Sequence, residues 1–174
     1  MEKVLSLNVN LCSGCGACAV ACFDHNDIDI ERQPAWRRIV QVESGSYPNV
    51  SIAYVSAGCM HCHDSPCLMG CPTGAIWRHA KTNAVLVDQS ICIGCHNCGM
   101  ACPFGAPRYD NSGKLQKCQL CADWIEAERE PACVRACPVG ALEYKPASQV
   151  MQAKEDAFIG RLVSATRKQL HRME

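Results

Sequence analysis

The sequence has few aromatic residues, no long apolar run and no net charge. Only 3 Phe, 3 Trp and 4 Tyr occur among 174 residues, so aromatic side chains contribute little to any core. No apolar run approaches the ~20 residues that span a bilayer, and the sequence therefore predicts no membrane anchor. The 17 basic residues balance the 17 acidic ones, which argues against nucleic acid or an anionic membrane surface as a partner.

The N-terminal stretch MEKVLSLNVNLC lacks the features of an export signal. It has no basic segment leading into a long apolar run, and no twin-arginine pair. We therefore expect a cytoplasmic protein, with export as the passenger of a signal-bearing partner as the alternative. Because cytoplasmic thiols are kept reduced, a disulfide framework is disfavoured.

Cysteine is the abundant residue, with 16 in the chain, a content typical of proteins held together by covalent or metal links. The cysteines form four groups of four, and none is left over. The groups are Cys12, Cys15, Cys18 and Cys22; Cys59, Cys62, Cys67 and Cys71; Cys92, Cys95, Cys98 and Cys102; and Cys118, Cys121, Cys133 and Cys137. Such tight grouping favours metal ligation.

The four groups contain an internal repeat. Groups one and three align at an offset of 80 residues, with LNVNLCSGC from Leu7 against VDQSICIGC from Val87. Groups two and four share a looser pattern, C-x2-C, a longer gap and C-x3-C-P. Groups two, three and four continue as CPTGA, CPFGA and CPVGA. This order predicts a duplicated two-group module and has too few units for a solenoid.

The spacing in groups one and three, C-x2-C-x2-C-x3-C, is the bacterial ferredoxin run. Three of its thiolates hold one [4Fe–4S] cluster, and the fourth reaches a neighbouring cluster. Group four alone, C-x2-C-x11-C-x3-C, would also fit a zinc site. Three cysteines at two-residue gaps suit a cubane better than tetrahedral zinc, so iron–sulfur is favoured, and structural zinc or disulfides are the alternatives.

Outside the cysteine groups, the residue pattern predicts a β-hairpin, one further strand, a short helix and a C-terminal helix. They lie at 36–43 and 50–56 around a turn at 44–49, at 82–88, at 122–130 and at 148–174. Partial alternation of apolar and polar residues indicates the strands, and apolar residues at helical spacing indicate the last helix. That helix packs on its own domain, which we favour, or docks on a partner.

The span from Cys12 to Pro138 resembles the four-cluster ferredoxin-like electron-transfer subunits of molybdenum or tungsten pterin enzymes. Examples are the β subunits of dimethyl sulfoxide reductase, polysulfide reductase and formate dehydrogenase. The four groups carry the resemblance, together with WRRI from Trp36, KCQLC from Lys117 and PACVRACP from Pro131, over about three quarters of the chain. Small polyferredoxin subunits of bacterial tungsten aldehyde oxidoreductases are similar in length and layout.

The resemblance implies an α+β, loop-rich fold of duplicated bacterial ferredoxin-like modules, each with two [4Fe–4S] clusters. One module comprises residues 1–23 and 111–147, with groups one and four. The other is inserted at 56–110, with groups two and three. A β-hairpin insert at 24–55 and a helical tail at 148–174 complete the predicted layout.

The resemblance also implies how the ligands pair, because the fourth cysteine of each group in this family binds the cluster of a partner group. The implied sets are Cys12, Cys15, Cys18 and Cys137; Cys22, Cys118, Cys121 and Cys133; Cys59, Cys62, Cys67 and Cys102; and Cys71, Cys92, Cys95 and Cys98. Since no group lacks a cysteine, we predict four [4Fe–4S] clusters.

The other candidate ligands are predicted to have minor roles. Because cysteines saturate every cluster, no histidine is expected to bind iron. Three histidines within the cysteine loops are predicted to be solvated or to donate to cluster sulfur, three others to lie on the surface, and the tryptophans to pack against the loops. They are, in that order, His61, His63 and His96; His25, His79 and His171; and Trp36, Trp77 and Trp124.

A cubane held by four thiolates has no open coordination position. No Ser/His/Asp set, GxGxxG or P-loop is present, so no independent active site is predicted. The implied function is a linear relay of single electrons between a pterin-bearing catalytic subunit and a second redox partner, which would be a flavoprotein, a ferredoxin or a membrane quinone subunit. A free-standing polyferredoxin and a regulatory or structural iron–sulfur protein are the alternatives. The implied assembly with the catalytic subunit is a hetero-oligomer, and copies of this assembly would also be able to link end to end.

Overall fold

The computed structural model describes residues 3–170. The chain divides into two compact units, which we call the cysteine unit (Leu7–Glu143) and the terminal unit (Met1–Ser6 with Tyr144–Glu174). All sixteen cysteines lie in the cysteine unit. The predicted boundaries of two ferredoxin-like modules and a hairpin insert stay a prediction.

Short helices and strands alternate along the described residues. In chain order they are β1 Lys3–Leu7, α1 Ala17–His25, β2 Arg38–Ser46, β3 Asn49–Ala57, α2 Pro66–Met69, β4 Ile76–Arg78, β5 Val85–Val87, α3 Asn97–Ala101, β6 Arg108–Tyr109, β7 Leu115–Gln116, α4 Ala122–Glu126, α5 Ala132–Arg135, β8 Leu142–Pro146 and α6 Ala147–Leu170. The strands form four two-stranded sheets, β1 with β8, β2 with β3, β4 with β5 and β6 with β7. No sheet is large enough to build a core alone.

The predicted β-hairpin is confirmed. Strands β2 and β3 pair antiparallel, in a register that runs from Arg38 opposite Ala57 to Ser46 opposite Asn49. The strands extend closer to the turn than predicted, because residues 44–46 pair with 49–51 instead of forming part of the loop. Only Tyr47 and Pro48 remain as the connection.

The strand predicted at 82–88 is shorter in the structure, where β5 covers only Val85–Val87 and pairs with β4. A tight turn precedes it. The N–H of Asn83 donates to the carbonyl of His79 at 2.9 Å, and the N–H of His79 donates to the carbonyl of Ala84 at 2.8 Å. Asn83 has φ of 55°, a left-handed conformation that an extended strand cannot contain.

The two predicted helices are present with different ends. Helix α4 begins at Ala122 as expected but ends at Glu126, and Glu128 then has φ of 58°. Helix α6 runs from Ala147 to Leu170, and residues 171–174 lie outside the described part of the chain. Between residues 3 and 170, no helix is both long and apolar enough to cross a bilayer.

Helix α6 carries several exposed apolar side chains. Five of them are 46 to 70% exposed, namely Met151, Phe158, Ile159, Leu162 and Val163. Packing of this helix on its own domain stays a prediction.

In the cysteine unit, α1 packs against α5, and α2 packs against α3. The first pair joins group one to group four, and the second pair joins group two to group three. Each helix contributes cysteines; Cys22 on α1 and Cys133 on α5 are buried. The helix pairs therefore bring group one together with group four, which is far away in sequence, and group two together with its sequence neighbour, group three.

The hydrophobic clusters of the cysteine unit are small, and three of them contain cysteines. One consists of Ile76, Val85, Cys98 and Leu115; a second of Cys22, Ile28 and Trp36; and a third of Cys59, Ala106 and Cys118. Thiol side chains thus occupy positions that large apolar residues fill in an ordinary core.

Gly14 in the first cysteine loop is required by a close approach to the hairpin. It has φ of +73°, and a Cβ at this position would lie 2.6 Å from ring carbons of Tyr54 on β3. Gly16, two residues later, has φ of +78°, and a Cβ there would meet no other atom within 4 Å. Both glycines therefore have a left-handed backbone, but only Gly14 lies close to Tyr54.

We expect Gly14→Ala to destabilise the protein more than Gly16→Ala. Both substitutions cost about 1 kcal/mol for a left-handed backbone, and Gly14→Ala adds about 1–3 kcal/mol of overpacking against Tyr54. Thermal unfolding followed by circular dichroism under anaerobic conditions measures the difference. Equal midpoints for the two variants would contradict the role of Tyr54.

Candidate metal centres

One cavity of the cysteine unit is lined by four thiols, which we call site 1: Cys12, Cys15, Cys18 and Cys137. Three of these come from group one and the fourth from group four. Apolar walls are provided by Ile39 of β2 and by Ala141 and Leu142 after the CPVG turn. The hydroxyl of Ser56 lies 3.3 Å from the sulfur of Cys18.

A second cavity of the same construction is lined by the thiols of site 4: Cys71, Cys92, Cys95 and Cys98. Here group three supplies three thiols and group two supplies the fourth. Ala75 and Ile76 follow the CPTG turn and line the wall, as Ala141 and Leu142 do in site 1. The hydroxyl of Tyr109 lies 3.4 Å from the sulfur of Cys98.

Four buried thiols between the helices of groups one and four form site 2: Cys22, Cys118, Cys121 and Cys133. Burial raises the pKa of Cys22, and the nearby thiols of Cys118, Cys133 and Cys121 raise it further. Helix α1, which carries Cys22, packs against helix α5, which carries Cys133, and this packing brings groups one and four together here.

The remaining predicted set, site 3, consists of Cys59, Cys62, Cys67 and Cys102. Burial raises the pKa of Cys59, and Cys67 adds to this shift; Cys102 likewise acts on Cys67. Cys102 packs against the cluster that contains Cys59, and helix α2, which carries Cys67, packs against helix α3 of group three. The loop around Cys62 is held by Arg78, which donates to the carbonyls of Cys62 at 2.6 Å and His63 at 2.5 Å.

The first C-x2-C loop of each of the four groups has a similar backbone turn. The residue before the second cysteine has positive φ in every case: Gly14 (73°), His61 (47°), Gly94 (67°) and Leu120 (60°). In the two loops without glycine, this residue donates its N–H to the sulfur of the preceding cysteine, His61 to Cys59 at 3.5 Å and Leu120 to Cys118 at 3.3 Å. Such turns present backbone amides to an anionic group. The glycines pointed to this geometry in groups one and three, but nothing in the sequence indicated it for His61 and Leu120.

The thiols differ in acidity according to position. Burial raises the pKa of Cys121 to about 12 and that of Cys59 to about 11. Burial opposes ionisation of Cys71 and Cys137 as well, but backbone N–H groups around each sulfur lower the pKa; Ala141 donates to Cys137 at 3.2 Å. Iron binds the thiolate, so loading the buried thiols must release their protons.

Buried donors without a protein partner face the thiols of site 2. Among the described residues, Nε1 of Trp36 and both Nε and Nη2 of Arg37 are buried and make no hydrogen bond. Trp36 packs in the same cluster as Cys22. Burial lowers the pKa of the Arg37 guanidinium, but the thiols of Cys133, Cys118, Cys18 and Cys22 raise it. Buried donors are rarely left unpaired. An anionic sulfur cluster in site 2 would accept from them, so the residues present fit an iron–sulfur group.

His61 provides a similar donor near site 3. Its Nδ1 accepts a hydrogen bond from the N–H of Val85 at 2.9 Å, and burial, with the nearby Lys117, keeps the pKa of its ring well below the usual value. The neutral ring therefore has its proton on Nε2, which is buried and unpartnered. Of the two predicted roles for this histidine, donation to cluster sulfur fits better than solvation.

The other two histidines of the cysteine loops are exposed, as predicted. His96 stacks on Tyr109 with ring centroids 3.7 Å apart and an interplanar angle of 20°. This stack covers one side of site 4, because both residues line its cavity.

The prediction of a surface position is wrong for His25. Its side chain is only 11% exposed and lies 3.3 Å from a carboxylate oxygen of Asp123, because α1 packs close to α4 there. His79 is also partly buried and lies 3.7 Å from Glu126. His171 lies outside the described residues.

Packing of the tryptophans differs from one to the next. Trp36 is buried against Cys22, as expected, and Trp124 lies between His25 and Arg135. Trp77 on β4 is 42% exposed, so its predicted packing against a loop is wrong for much of the ring.

The four sites form a row. Cys18 of site 1 and Cys22 of site 2 both lie on helix α1. Cys118 of site 2 and Cys59 of site 3 share one hydrophobic cluster. Finally, Cys67 of site 3 packs against the cluster that contains Cys98 of site 4. The order along the unit is therefore 1, 2, 3, 4.

Among residues 3–170, no three His, Cys, Asp or Glu side chains converge as they would around one metal ion. Structural zinc has four ligands around one metal, whereas each thiolate of a [4Fe–4S] cubane binds its own iron.

Comparison with known protein families supports the same chemistry. The profile of a family described as a 4Fe-4S dicluster domain matches residues 50–146, which include groups two, three and four.

Curated relatives extend the similarity over most of the sequence. The B subunit of anaerobic dimethyl sulfoxide reductase from Escherichia coli (strain K12) is 36% identical over 154 residues, which cover 83% of this protein and 74% of that relative. Thiosulfate reductase electron transfer subunit PhsB of Salmonella typhi is 41% identical over 136 residues, covering 76% of this protein and 70% of the relative. The nitrate-inducible formate dehydrogenase iron-sulfur subunit of Escherichia coli (strain K12) is 36% identical over 171 residues, which cover 88% of this protein and 58% of that relative.

Proposed function

Because this protein belongs to the 4Fe-4S dicluster family of iron–sulfur electron-transfer subunits, we propose that it relays single electrons between a molybdenum- or tungsten-pterin catalytic subunit and a second redox partner. The protein binds four [4Fe–4S] clusters. The observation that carries the proposal is the row of four thiol sets, which offers a continuous path through the cysteine unit.

The four thiol sets are the proposed ligand sets, with the fourth cysteine of each group assigned to the site of its partner group. The lining of the two cavities supports this crossing, since Cys137 lies with group one and Cys71 lies with group three. When bound, each cluster takes up and gives back one electron. The protein's own part is to hold four thiolates at each site, to exclude water with apolar walls and to present N–H donors to sulfur.

Duplication of a ferredoxin-like module is part of the proposal. Two backbone hydrogen bonds support it: Asn8 donates to the carbonyl of Ala141, and Asp88 donates to the carbonyl of Ala75, both at 2.8 Å. Asn8 and Asp88 are 80 residues apart, the offset of the repeat, and the two alanines occupy the same position in CPVGA and CPTGA. Sites 1 and 4 would then be equivalent sites of the two modules.

The relatives are named as parts of larger enzymes, and we propose a hetero-oligomer for this protein as well. The exposed apolar face of α6 supports a protein partner, because contiguous exposed apolar surface marks interaction sites. The cytoplasm is the proposed compartment, since reduced thiols persist there; export with a signal-bearing partner is the alternative.

Native co-purification tests the proposed function. We expect the tagged protein, expressed in its own host, to bring down a large catalytic subunit in a fixed stoichiometry together with molybdenum or tungsten. Mass spectrometry identifies the subunit, and elemental analysis measures the metal. Recovery of the tagged protein alone, with reducible clusters, would contradict the proposal in favour of a free-standing polyferredoxin.

The proposed crossing of ligands is tested with four single variants from groups one and four. We expect Cys137→Ser to alter the same cluster signal as Cys15→Ser, because both thiols are assigned to site 1. Cys22→Ser, the matched control from group one, should alter the signal that Cys118→Ser alters. Electron paramagnetic resonance of the reduced proteins gives the comparison. If Cys22→Ser changed the Cys15→Ser signal, the crossing would be wrong.

A further inference from the structure

Two basic side chains are buried at the two inner sites without a carboxylate partner. Arg37 is 2% exposed and Lys117 is 3% exposed. Among residues 3–170, neither forms an ion pair with Asp or Glu. An unpaired buried charge is costly in an apolar interior, so each cation needs negative charge from another source.

The Arg37 guanidinium lies at site 2. Its Nη1 donates to the hydroxyl of Ser56 at 3.0 Å, while Nε and Nη2 are buried and unpartnered. That hydroxyl lies 3.3 Å from the sulfur of Cys18 in site 1, and Trp36, the residue before Arg37, packs against Cys22 of site 2. Gly58 leaves room for it, because a Cβ there would lie 3.1 Å from Nη2.

The Lys117 ammonium lies at site 3. It donates to the carbonyl of Val85 and, at 3.1 Å, to its neighbour Cys118. These neutral acceptors fix the position of the ammonium but leave its charge uncompensated. Both acceptors lie beside site 3, because Cys67 packs against the hydrophobic cluster that contains Val85, and Cys59 shares a cluster with Cys118.

The outer sites differ from the inner ones. Among the described residues that line the cavities of sites 1 and 4, none is lysine or arginine. The two positive charges are thus placed at the inner sites, and each is itself almost fully buried, where solvent screening is weak.

A site with four thiolates is anionic when loaded, and reduction adds one more negative charge. A fixed cation nearby stabilises the reduced form more than the oxidised form, especially at low dielectric. Hydrogen bonds to the sulfurs act in the same direction.

We propose that Arg37 and Lys117 raise the reduction potentials of the clusters at sites 2 and 3. The inference rests on the proposed ligand sets. Both residues act through their charge on the clusters, and Arg37 also through its two free donors.

The test uses Arg37→Gln and Lys117→Gln, each in the cluster-loaded protein, with Arg38→Gln and Lys114→Gln as controls. Arg38, the first residue of β2, follows Arg37 in the chain but is less buried, and the half-buried Lys114 donates from its ammonium to the carbonyl of Gln89. Redox titration followed by electron paramagnetic resonance gives the midpoint of each cluster, assigned with Cys22→Ser for site 2 and Cys102→Ser for site 3.

We expect Arg37→Gln to lower the potential at site 2 and Lys117→Gln to lower the potential at site 3. Each should shift the equilibrium between oxidised and reduced cluster at least tenfold, which is about 59 mV for one electron. The double variant should move both midpoints, and the controls neither. Shifts no larger than those of the controls, or shifts upward, would overturn the proposal.

Iron and acid-labile sulfide per chain are measured on every sample, and they separate the two hypotheses. Missing clusters in the wild type would contradict the proposed sites, whereas full clusters with unshifted midpoints would contradict only the role of the cations. If a Gln variant loses iron, Arg37→Lys and Lys117→Arg replace it. With the charge retained, the midpoint should stay within the tenfold limit, and a larger fall would overturn the proposal.

Discussion

Ligation of iron by buried thiolates is the interaction on which the rest of this structure depends. The sheets have two strands each, several helices are one turn long, and the hydrophobic clusters contain cysteines where larger side chains would normally lie. Apolar burial of this extent cannot hold the loops in place alone. Metal binding then supplies much of the folding free energy, as in other small metallo-domains, and in the proposed ligand sets it links segments that are more than one hundred residues apart, such as Cys12 and Cys137.

The same constraint explains the unusual polar groups of the interior. An array of anionic sites attracts donors and cations, and the structure provides Trp36, Arg37, His61 and Lys117 around the two inner sites. In a protein with an ordinary core these groups would be strongly destabilising. Here they complement charge that the thiolates bring, so electrostatics, more than packing, distinguishes the inner sites from the outer ones.

Features encoded by neighbouring residues could be predicted from the sequence, and features created by long-range packing could not. The cysteine spacing and the alternation of apolar and polar residues in β2 and β3 are local patterns. The spacing correctly predicted the chemistry of the sites, and the alternation correctly predicted the hairpin. The early end of α4 and the short β5 follow from left-handed residues, Glu128 and Asn83, whose side chains do not require that conformation. Burial of Arg37 and His25 depends on elements from other parts of the chain, and no local pattern indicated either. The pairing of cysteine groups came from family resemblance, because spacing alone does not say which fourth cysteine joins which site.

The central claim is that the thiols hold four cubanes in four separate sets. Iron and acid-labile sulfide analysis of the anaerobically purified protein, with Mössbauer spectroscopy of a ⁵⁷Fe-labelled sample, tests it most directly. The account predicts about sixteen irons and about sixteen sulfides per chain, since each [4Fe–4S] cluster contains four of each, and all iron in thiolate-ligated four-iron clusters. Zinc, mononuclear iron or about half of that iron content in a stable, folded protein would contradict it.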